Sequence, residues 1–194
     1  MTITNGYTTL TDFKNFARIT STDTTDDAVL ETLIESTSRL IDSQTGRQFY
    51  GTSTARSFDL PTSQELMFDI DCQTVTSITN GDGTVFAASD YVLLPSNNTP
   101  KFGVQLKAPN IWLPDSNGNA LQVISVAGTF GLATPPADIV YACKVIAHAA
   151  YKRRFGENVS SISTITGAGV VVEPQDIPGG AFLILLNNRR ITFG

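Results

Sequence analysis

The chain has 194 residues, enough for one well-packed domain with an inserted subdomain. Its formal net charge is −5 and only 16% of its residues are charged, a balance that argues against a protein that grips nucleic-acid phosphates. The two cysteines, Cys72 and Cys143, lie far apart and outside any CxxC pattern, so they fit no metal or redox motif and indicate folding in a reducing environment. No signal peptide or membrane-spanning run is expected, because the N-terminus and the apolar stretches lack the required composition and length.

The charge is unevenly distributed along the chain. Residues 1–135 carry 14 acidic and 7 basic side chains, whereas residues 136–194 carry 4 acidic and 6 basic ones. The C-terminal part is therefore the better candidate surface for an acidic partner.

Two helices are predicted within residues 1–47. Thr9 or Thr11 can cap the first helix, because a hydroxyl accepts a hydrogen bond from a free backbone amide of the first turn. Asp26-Asp27 open the second, where carboxylates suit the positive end of the helix dipole. A broad apolar stripe at helical spacing follows, and Gly46 is well placed to end the helix in a left-handed conformation.

Residues 48–130 change to short runs of aromatic and β-branched residues separated by turn signals. This pattern predicts six to eight strands, and Asn80-Gly81-Asp82-Gly83 is a strong hairpin signal. We therefore expect an α+β fold, in which an antiparallel β-barrel or sandwich is inserted into a frame of three to four helices. The runs predicted as strands are Arg47–Tyr50, Ala55–Leu60, Glu65–Ile70, Val75–Thr79, Val85–Leu94, Phe102–Leu106 and Leu121–Val126.

A long helix of the frame is predicted within residues 131–155. Pro135-Pro136 precede it, and it runs from about Ala137 to Phe155. Lys144 is the only formally charged residue in its apolar middle, so the helix is expected to be buried on more than one side. The covering surface is either the rest of the same chain or a neighbouring subunit.

Residues 156–194 are predicted to form a C-terminal arm. Its first part is rich in Ser, Thr, Gly and Pro, with a strand expected at Val170–Glu173. A short terminal helix follows from Gly180 to Asn188. Because the first part has few large apolar residues, we expect the arm to be loosely held until it meets a partner.

None of the candidate chemical sites is complete. His148 is the only histidine and lies in an apolar helix, which favours a structural role over catalysis or zinc binding. Asp69 and Asp71 would share one face of a strand and could bind a cation, although exposed strand residues explain them as well. The loop at Asp115–Asn119 lacks the glycine and the closing glutamate of a calcium loop, so a hairpin loop is expected. The sequence predicts no catalytic residues, no cofactor and no metal, and hence no enzyme.

Several short motifs occur in an order typical of one family. The end of the N-terminal helices reads Thr45-Gly46-Arg47-Gln48-Phe49, like a "tGR.f" turn, and Val126–Gly131 reads like "V.G.fGy". The tail, from Ile177-Pro178 through Leu185-Leu186 to Arg189-Arg190, is similar to a closing "lP..v..LL..yR". Together these motifs resemble the head–tail connector (adaptor, or head completion) proteins of tailed bacteriophages. Two departures are a longer linker before Ile177 and Asn187-Asn188 in place of the closing tyrosine.

The resemblance implies a structural protein of the virion neck, assembled in the host bacterial cytoplasm. Such a protein forms a homo-oligomeric ring of roughly twelve copies, which docks on the portal protein and extends the DNA channel. Its other partner is a downstream neck or tail-completion protein. Genomic DNA passes through without tight binding, which agrees with the acidic net charge, and no membrane is involved.

The C-terminal arm is the expected portal-docking element, because its terminal helix is too apolar to stay exposed without a partner and its arginines can pair with portal carboxylates. The alternative is that this helix only completes the N-terminal helical frame. Lys152, Arg153 and Arg154 are a candidate subunit or portal contact; a contact with DNA, or a solvated helix end where cations suit the dipole, explains them as well. The docking residues are predicted to be Phe182, Leu183, Leu185, Leu186, Arg189, Arg190 and Ile191.

Three other functions stay open. The chain could be another virion subunit, such as a tail-completion or baseplate protein. It could be a carbohydrate- or ligand-binding β-module, although Trp112 is the only tryptophan and such a module would need clustered exposed aromatic residues. An enzyme is the third, and the missing catalytic residues argue against it.

Overall fold

The computed structural model describes residues 3–154, 161–166, 169–174 and 177–190, with only the backbone described between 161 and 174. The chain divides into two compact units: a helical unit (residues 1–46 and 135–194) and a sheet unit (residues 47–134). The helices are α1 (Leu10–Ala17), α2 (Asp27–Thr45), α3 (Ala137–Arg153) and α4 (Gly179–Asn187). The strands are β1 (Thr52–Phe58), β2 (Glu65–Thr79), β3 (Val85–Phe86), β4 (Tyr91–Leu94), β5 (Lys101–Leu106), β6 (Ile124–Phe130), β7 (Ser161–Thr166) and β8 (Gly169–Pro174).

The helix boundaries follow the local signals in the sequence. Thr9 caps α1, where its hydroxyl oxygen accepts a hydrogen bond from the Asp12 amide at 3.1 Å. Gly46 ends α2 with a φ of 64°, as the predicted left-handed cap requires. Pro136 precedes the first residue of α3, where its missing N–H costs nothing. The α+β class is thus confirmed.

Small and apolar side chains hold the helical unit together. Phe13, Leu30, Ile34 and Ala147 join α1, α2 and α3 in one fully buried cluster. Ser38 on α2 lies 3.7 Å from the Cys143 sulfur on α3, since both side chains are small enough for the helices to approach closely.

Polar contacts tie the N-terminal segment to α2. The Tyr7 amide donates to the Ser38 hydroxyl at 3.0 Å, and the Tyr7 hydroxyl donates to the Asp42 carboxylate. Arg39 also pairs with Asp42 at 3.2 Å and donates to the Asn5 carbonyl at 2.8 Å. Burial raises the pKa of Asp42, although the hydrogen bond from Tyr7 and the nearby Arg39 oppose the shift.

The sheet unit contains one antiparallel sheet of six strands, in the order β1-β6-β2-β5-β4 with β3 paired to β2. This corrects the expected barrel or sandwich. β2 has 15 residues and serves both halves of the sheet, because its first part pairs with β5 and its second part with β6. β1 and β4 lie at opposite ends of the strand order, so the sheet is not closed into a barrel.

Hydrogen bonds in the turns explain where the predicted strands differ from the observed ones. The Ala87 amide donates to the Asp90 carboxylate at 2.8 Å and the Asp90 amide donates to the Ala87 carbonyl at 2.9 Å, and this turn splits the predicted Val85–Leu94 run into β3 and β4. Gln122 has a φ of 55°, so β6 begins only at Ile124. The runs Glu65–Ile70 and Val75–Thr79 are parts of one strand, β2. Arg47–Tyr50 is irregular, and its Gln48 carbonyl accepts from the Leu132 amide.

The core of the sheet unit lies on one side of the bent sheet. Phe68 contacts the rings of both Phe58 and Phe130, with centroids 5.6 and 6.0 Å apart. Trp112 packs edge-on against Phe86 at 5.6 Å, and its indole N–H donates to the Gln64 carbonyl at 3.1 Å. The single tryptophan is therefore part of the core and is not displayed for stacking on a ligand.

The Asn80–Gly83 hairpin is confirmed. The Asn80 amide donates to the Thr84 carbonyl at 2.7 Å, and the turn leads directly from β2 into β3. The buried Asn80 side chain also accepts from the Leu113 amide at 2.9 Å, so it fixes a neighbouring loop to the turn.

Two glycines of the "V.G.fGy" motif allow backbones to approach closely. A Cβ atom on Gly128 would lie 2.1 Å from the Thr74 carbonyl oxygen of β2. Gly131 has a φ of 88°, and a Cβ there would lie 2.1 Å from the Tyr50 carbonyl oxygen. Neither position accepts a larger residue without a backbone shift.

We expect Gly131→Ala to destabilise the protein by roughly 3 kcal/mol or more, because it adds a backbone clash to the strain of a left-handed residue. Gly118→Ala is the matched control, since Gly118 has a φ of 81° and open space around it. It should cost only about 1 kcal/mol. Urea unfolding of both variants measures the difference, and equal losses would contradict the role assigned to the Tyr50 carbonyl.

Candidate functional site

The terminal helix α4 presents apolar side chains to solvent on one side. Phe182 is 44%, Leu183 61% and Leu186 45% exposed; we call these three residues the terminal apolar face. Leu186 follows Phe182 by four residues and Leu183 by three, so the three side chains lie on adjoining turns. Exposed large apolar side chains grouped in this way are typical of an interaction surface.

The opposite side of α4 packs within the helical unit. Ala181 and Leu185 are spaced by four residues and are almost completely buried, at 1% and 2% exposure. The helix lies against α3 and α2. Leu185, predicted as a docking residue, is therefore a core residue in this conformation. The two alternatives for this helix are thus combined in one element: it completes the helical frame with one side and exposes the other.

The end of α4 is fixed by hydrogen bonds to both neighbouring helices. The Asn188 side-chain amide donates to the Asp138 carboxylate at 2.7 Å, at the start of α3. The Arg190 backbone amide donates to the Thr45 carbonyl at 2.8 Å, at the end of α2. Asn187-Asn188 stand in place of the closing tyrosine of the resembling family, and no pattern in the sequence indicated that Asn188 would anchor the helix. The terminal apolar face therefore lies on a helix whose position is fixed by α2 and α3.

The predicted basic residues lie in different surroundings. Arg189 is exposed and Arg190 half-buried, whereas Ile191 lies outside the described residues. Lys152 and Arg153 are half-buried at the end of α3. Arg154 is bound within the unit, because its guanidinium lies 3.1 Å from the Asp26 carboxylate.

Asp26 anchors the end of α3 to the start of α2. The Tyr151 hydroxyl donates to its second carboxylate oxygen at 2.8 Å. This hydrogen bond, together with burial and the negative charge of Asp26, raises the pKa of Tyr151. The contact with Asp26 accounts for Arg154. Of the three basic residues predicted at the end of α3, Arg154 is therefore the least suited to bind a partner.

His148 packs against an aromatic side chain of α1. Its ring lies edge-on to Phe16, with centroids 5.7 Å apart, and Phe16 also contacts Tyr141 at 6.2 Å. A half-buried ring held between helices suits the structural role predicted for this histidine.

The two aspartates of β2 each have an arginine beside them. Asp71 is buried and lies 3.4 Å from the Arg47 guanidinium, whereas Asp69 is exposed and pairs with Arg56. A shared cation site is not formed by these two residues. In the described part of the chain, no group of three or more His, Cys, Asp and Glu side chains could hold a metal ion.

The loop at Asp115–Asn119 is a hairpin loop closed by its own side chains. The Asp115 carboxylate accepts from the Asn117 amide at 2.9 Å and from the Asn119 amide and side chain, both at 2.8 Å. These bonds, the Asn119 side chain foremost, lower the pKa of Asp115. The carboxylate is therefore occupied by the loop itself.

No helix among the described residues combines the length and the apolar character needed to cross a membrane.

Comparison with known proteins gives a consistent picture. The family model for head completion proteins matches residues 7–191, nearly the whole chain. No curated protein matches the sequence.

Three solved structures share the fold at low sequence identity. A chain in the virion of a native gene transfer agent particle has a TM-score of 0.65 and 16% identity, over 96% of this chain and 91% of that one. A chain in the neck of an empty gene transfer agent particle, computed with C6 symmetry, has a TM-score of 0.61 and 13% identity, over 100% and 94%. A chain in the neck of a native particle, computed with C12 symmetry, has a TM-score of 0.60 and 14% identity, over 97% and 96%.

Substitutions on the two sides of α4 should differ in how much they lower the free energy of unfolding. Leu185→Ala should cost about 2–5 kcal/mol of the free energy of unfolding, because it leaves a cavity among α2, α3 and α4. Leu186→Ala, on the exposed side of the same helix, should change it by about 0.5 kcal/mol or less. Thermal unfolding of the two variants checks the orientation of the helix, and a comparable loss in both would contradict it.

The two thiols should be unreactive in the folded protein. Burial raises the pKa of Cys72 and of Cys143 from 9.0 to about 11, so the thiolate fraction at pH 8 falls about a hundredfold. We expect an alkylating reagent at pH 8 to label neither residue until the chain is unfolded in urea. Mass spectrometry of the labelled peptides measures this, and rapid labelling of the native protein would contradict the described burial.

Proposed function

Because the chain belongs to the head completion protein family, we propose that it is a structural protein of the phage neck, which forms a ring on the portal and connects head to tail. In this proposal the ring has roughly twelve copies, extends the DNA channel and receives a downstream neck or tail-completion protein. The protein acts by assembly in the virion, without catalysis, a cofactor or a membrane.

The terminal apolar face is the observation that carries this proposal. Phe182, Leu183 and Leu186 stay exposed although the other side of their helix is buried. Burying one large apolar side chain contributes about 1.5–3 kcal/mol, so three of them supply a useful contact with a groove on the portal. Arg189 and Arg190 follow the helix and offer cations to carboxylates at the edge of such a groove.

The contact made by one copy is small. The three side chains are already half-covered, so burying the rest of their surface contributes little more free energy than the entropy lost when a whole protein is immobilised. A free copy should therefore bind weakly, whereas copies that also touch one another on the portal bind as a unit. This favours a ring that assembles on its portal template and a free protein that is monomeric.

Two further observations support the proposal. The related folds are described as parts of gene transfer agent particles, two of them as necks computed with C6 or C12 symmetry, which agrees with a ring of roughly twelve copies. The net charge of −5 disfavours strong contacts with DNA phosphates, as a channel that DNA slides through requires.

We expect Leu183→Asp and Leu186→Asp to weaken binding to isolated portal rings of the same virion at least tenfold, because each places a charge in an apolar contact. Their melting temperatures should change little, since both positions are exposed. Leu121→Asp is the matched control, because Leu121 is 74% exposed in the sheet unit and should leave portal binding intact. Sedimentation with portal measures the binding.

Electron microscopy of the portal-bound wild-type protein then gives the copy number. A ring of roughly twelve copies is the expected result. Wild-type protein that does not bind portal, or face variants that bind it as well as wild type, would overturn the proposed docking and favour another virion subunit, such as a tail-completion or baseplate protein.

A further inference from the structure

β1 is an edge strand without the usual protection. Within the part of the chain that the structure describes, β1 pairs only with β6, over all seven residues from Thr52↔Phe130 to Phe58↔Ile124 and with no shift of register. The backbone groups on its other side therefore form an open row of donors and acceptors. Edge strands of monomeric proteins are normally short, bulged, covered, or marked by Pro or charged residues. β1 has seven residues, no bulge and neither Pro nor Lys, and its one charged residue, Arg56, pairs with Asp69.

Most of β1 is exposed to solvent, whereas Phe58 at its end packs on the core. Its first four residues are exposed and none of the seven is fully buried. A shallow groove is lined by four consecutive residues, Thr54 to Ser57, together with Gln122. Since alternate side chains of a strand point to opposite faces, these four consecutive residues include side chains from both faces of β1.

The other edge of the same sheet is protected. β4 has only four residues, and Pro95 follows it at once. A short strand ended by proline offers little to an incoming strand. The contrast between the two edges singles out β1 as the one suited to extension.

The helical unit contains a β-hairpin that forms a two-stranded sheet of its own. β7 and β8 pair with each other in a regular register, from Ser161↔Pro174 to Thr166↔Gly169, and form a separate two-stranded sheet. A two-stranded hairpin alone is marginally stable in water and gains from a third strand. Five of its twelve strand residues are Val or Ile, types that favour strands.

We infer that the β7–β8 hairpin of one copy pairs with the β1 edge of a neighbouring copy and so extends its sheet across the subunit boundary. This inference rests on the proposed ring, which supplies the second copy. The lengths agree, since strands of six residues meet an edge of seven. Main-chain hydrogen bonds supply the contact, and the small side chains of Thr52 to Ala55, the exposed part of β1, do not obstruct it.

The geometry of this contact suits a closed ring. The hairpin and the edge are different surfaces, so each copy gives one and receives one, and a head-to-tail contact of this kind closes when the rotation between copies allows it. The contact also explains why an uncovered edge strand persists: it is covered only after assembly.

Cysteine cross-linking between two single variants tests the inference. Ala55→Cys in β1 and Ser163→Cys in β7, or Val172→Cys in β8, are mixed in equal amounts, assembled on portal rings and treated with a short bifunctional maleimide. The native thiols are buried and do not interfere. We expect a cross-linked pair that contains one of each variant, at least tenfold more abundant in the portal-bound fraction than in free protein. Val92→Cys, on the protected β4 edge, replaces Ala55→Cys as the matched control and should give no such product.

A second pair of variants tests the edge itself. Adjacent residues of a strand direct their N–H groups to opposite sides. Of the two variants Thr54→Pro and Ala55→Pro, one therefore loses an amide that bonds to β6, and the other loses an amide that faces the open edge. The variant that loses the open-edge amide should keep the wild-type melting temperature and form at least tenfold fewer rings on portal.

The outcomes separate the inference from the proposed function. Rings that form without the cross-link, cross-links only between two copies of the same variant, or a cross-link only to portal would each overturn the inference and leave the proposed ring intact. Normal ring formation by the thermally unchanged proline variant would overturn it as well. If the wild-type protein forms no ring on portal, that result contradicts the proposed function and the inference that rests on it.

Discussion

The packing of Ala181 and Leu185 against α2 and α3 is the interaction on which the functional surface depends. A nine-residue helix does not persist alone in water, so α4 exists because one side of it is buried. The hydrogen bonds from Asn188 to Asp138 and from Arg190 to Thr45 then fix its end. Only with this support can three large apolar side chains face solvent in a defined arrangement. Stability and the proposed docking thus use opposite sides of the same helix.

Local features of this fold could be predicted from the sequence, because they depend on neighbouring residues. A hydroxyl at Thr9 and a glycine at Gly46 determine where two helices begin and end, and Asn80–Gly83 determines a turn. The path of β2 could not be predicted. Whether two runs of β-branched residues form one strand or two depends on distant partners, such as Lys101 of β5 and Phe130 of β6, which face Cys72 from 29 and 58 residues further along the chain. For the same reason the open sheet was not distinguished from a barrel.

The candidate site shows the same limit. The sequence located the terminal helix and its apolar character, but α4 is apolar all round, so periodicity could not separate Leu185 from Leu186. Their different roles follow from contacts with α2 and α3. The anchoring role of Asn188 was also missed, because it depends on an aspartate 50 residues earlier in the chain.

The small extent of the terminal apolar face has a consequence for how the protein can change over generations. From Phe182 to Leu186 the helix advances only about 6 Å, so each copy offers three neighbouring side chains to a partner. In the proposed ring of roughly twelve copies, every substitution on this face occurs in all copies at once. A loss of about 0.3 kcal/mol per copy, too small to measure in one subunit, becomes about 4 kcal/mol for the ring if the contributions of separated copies add. Symmetry thus makes these three positions far more sensitive to selection than their exposure in the single chain suggests, and ties their change to matching change in the partner surface.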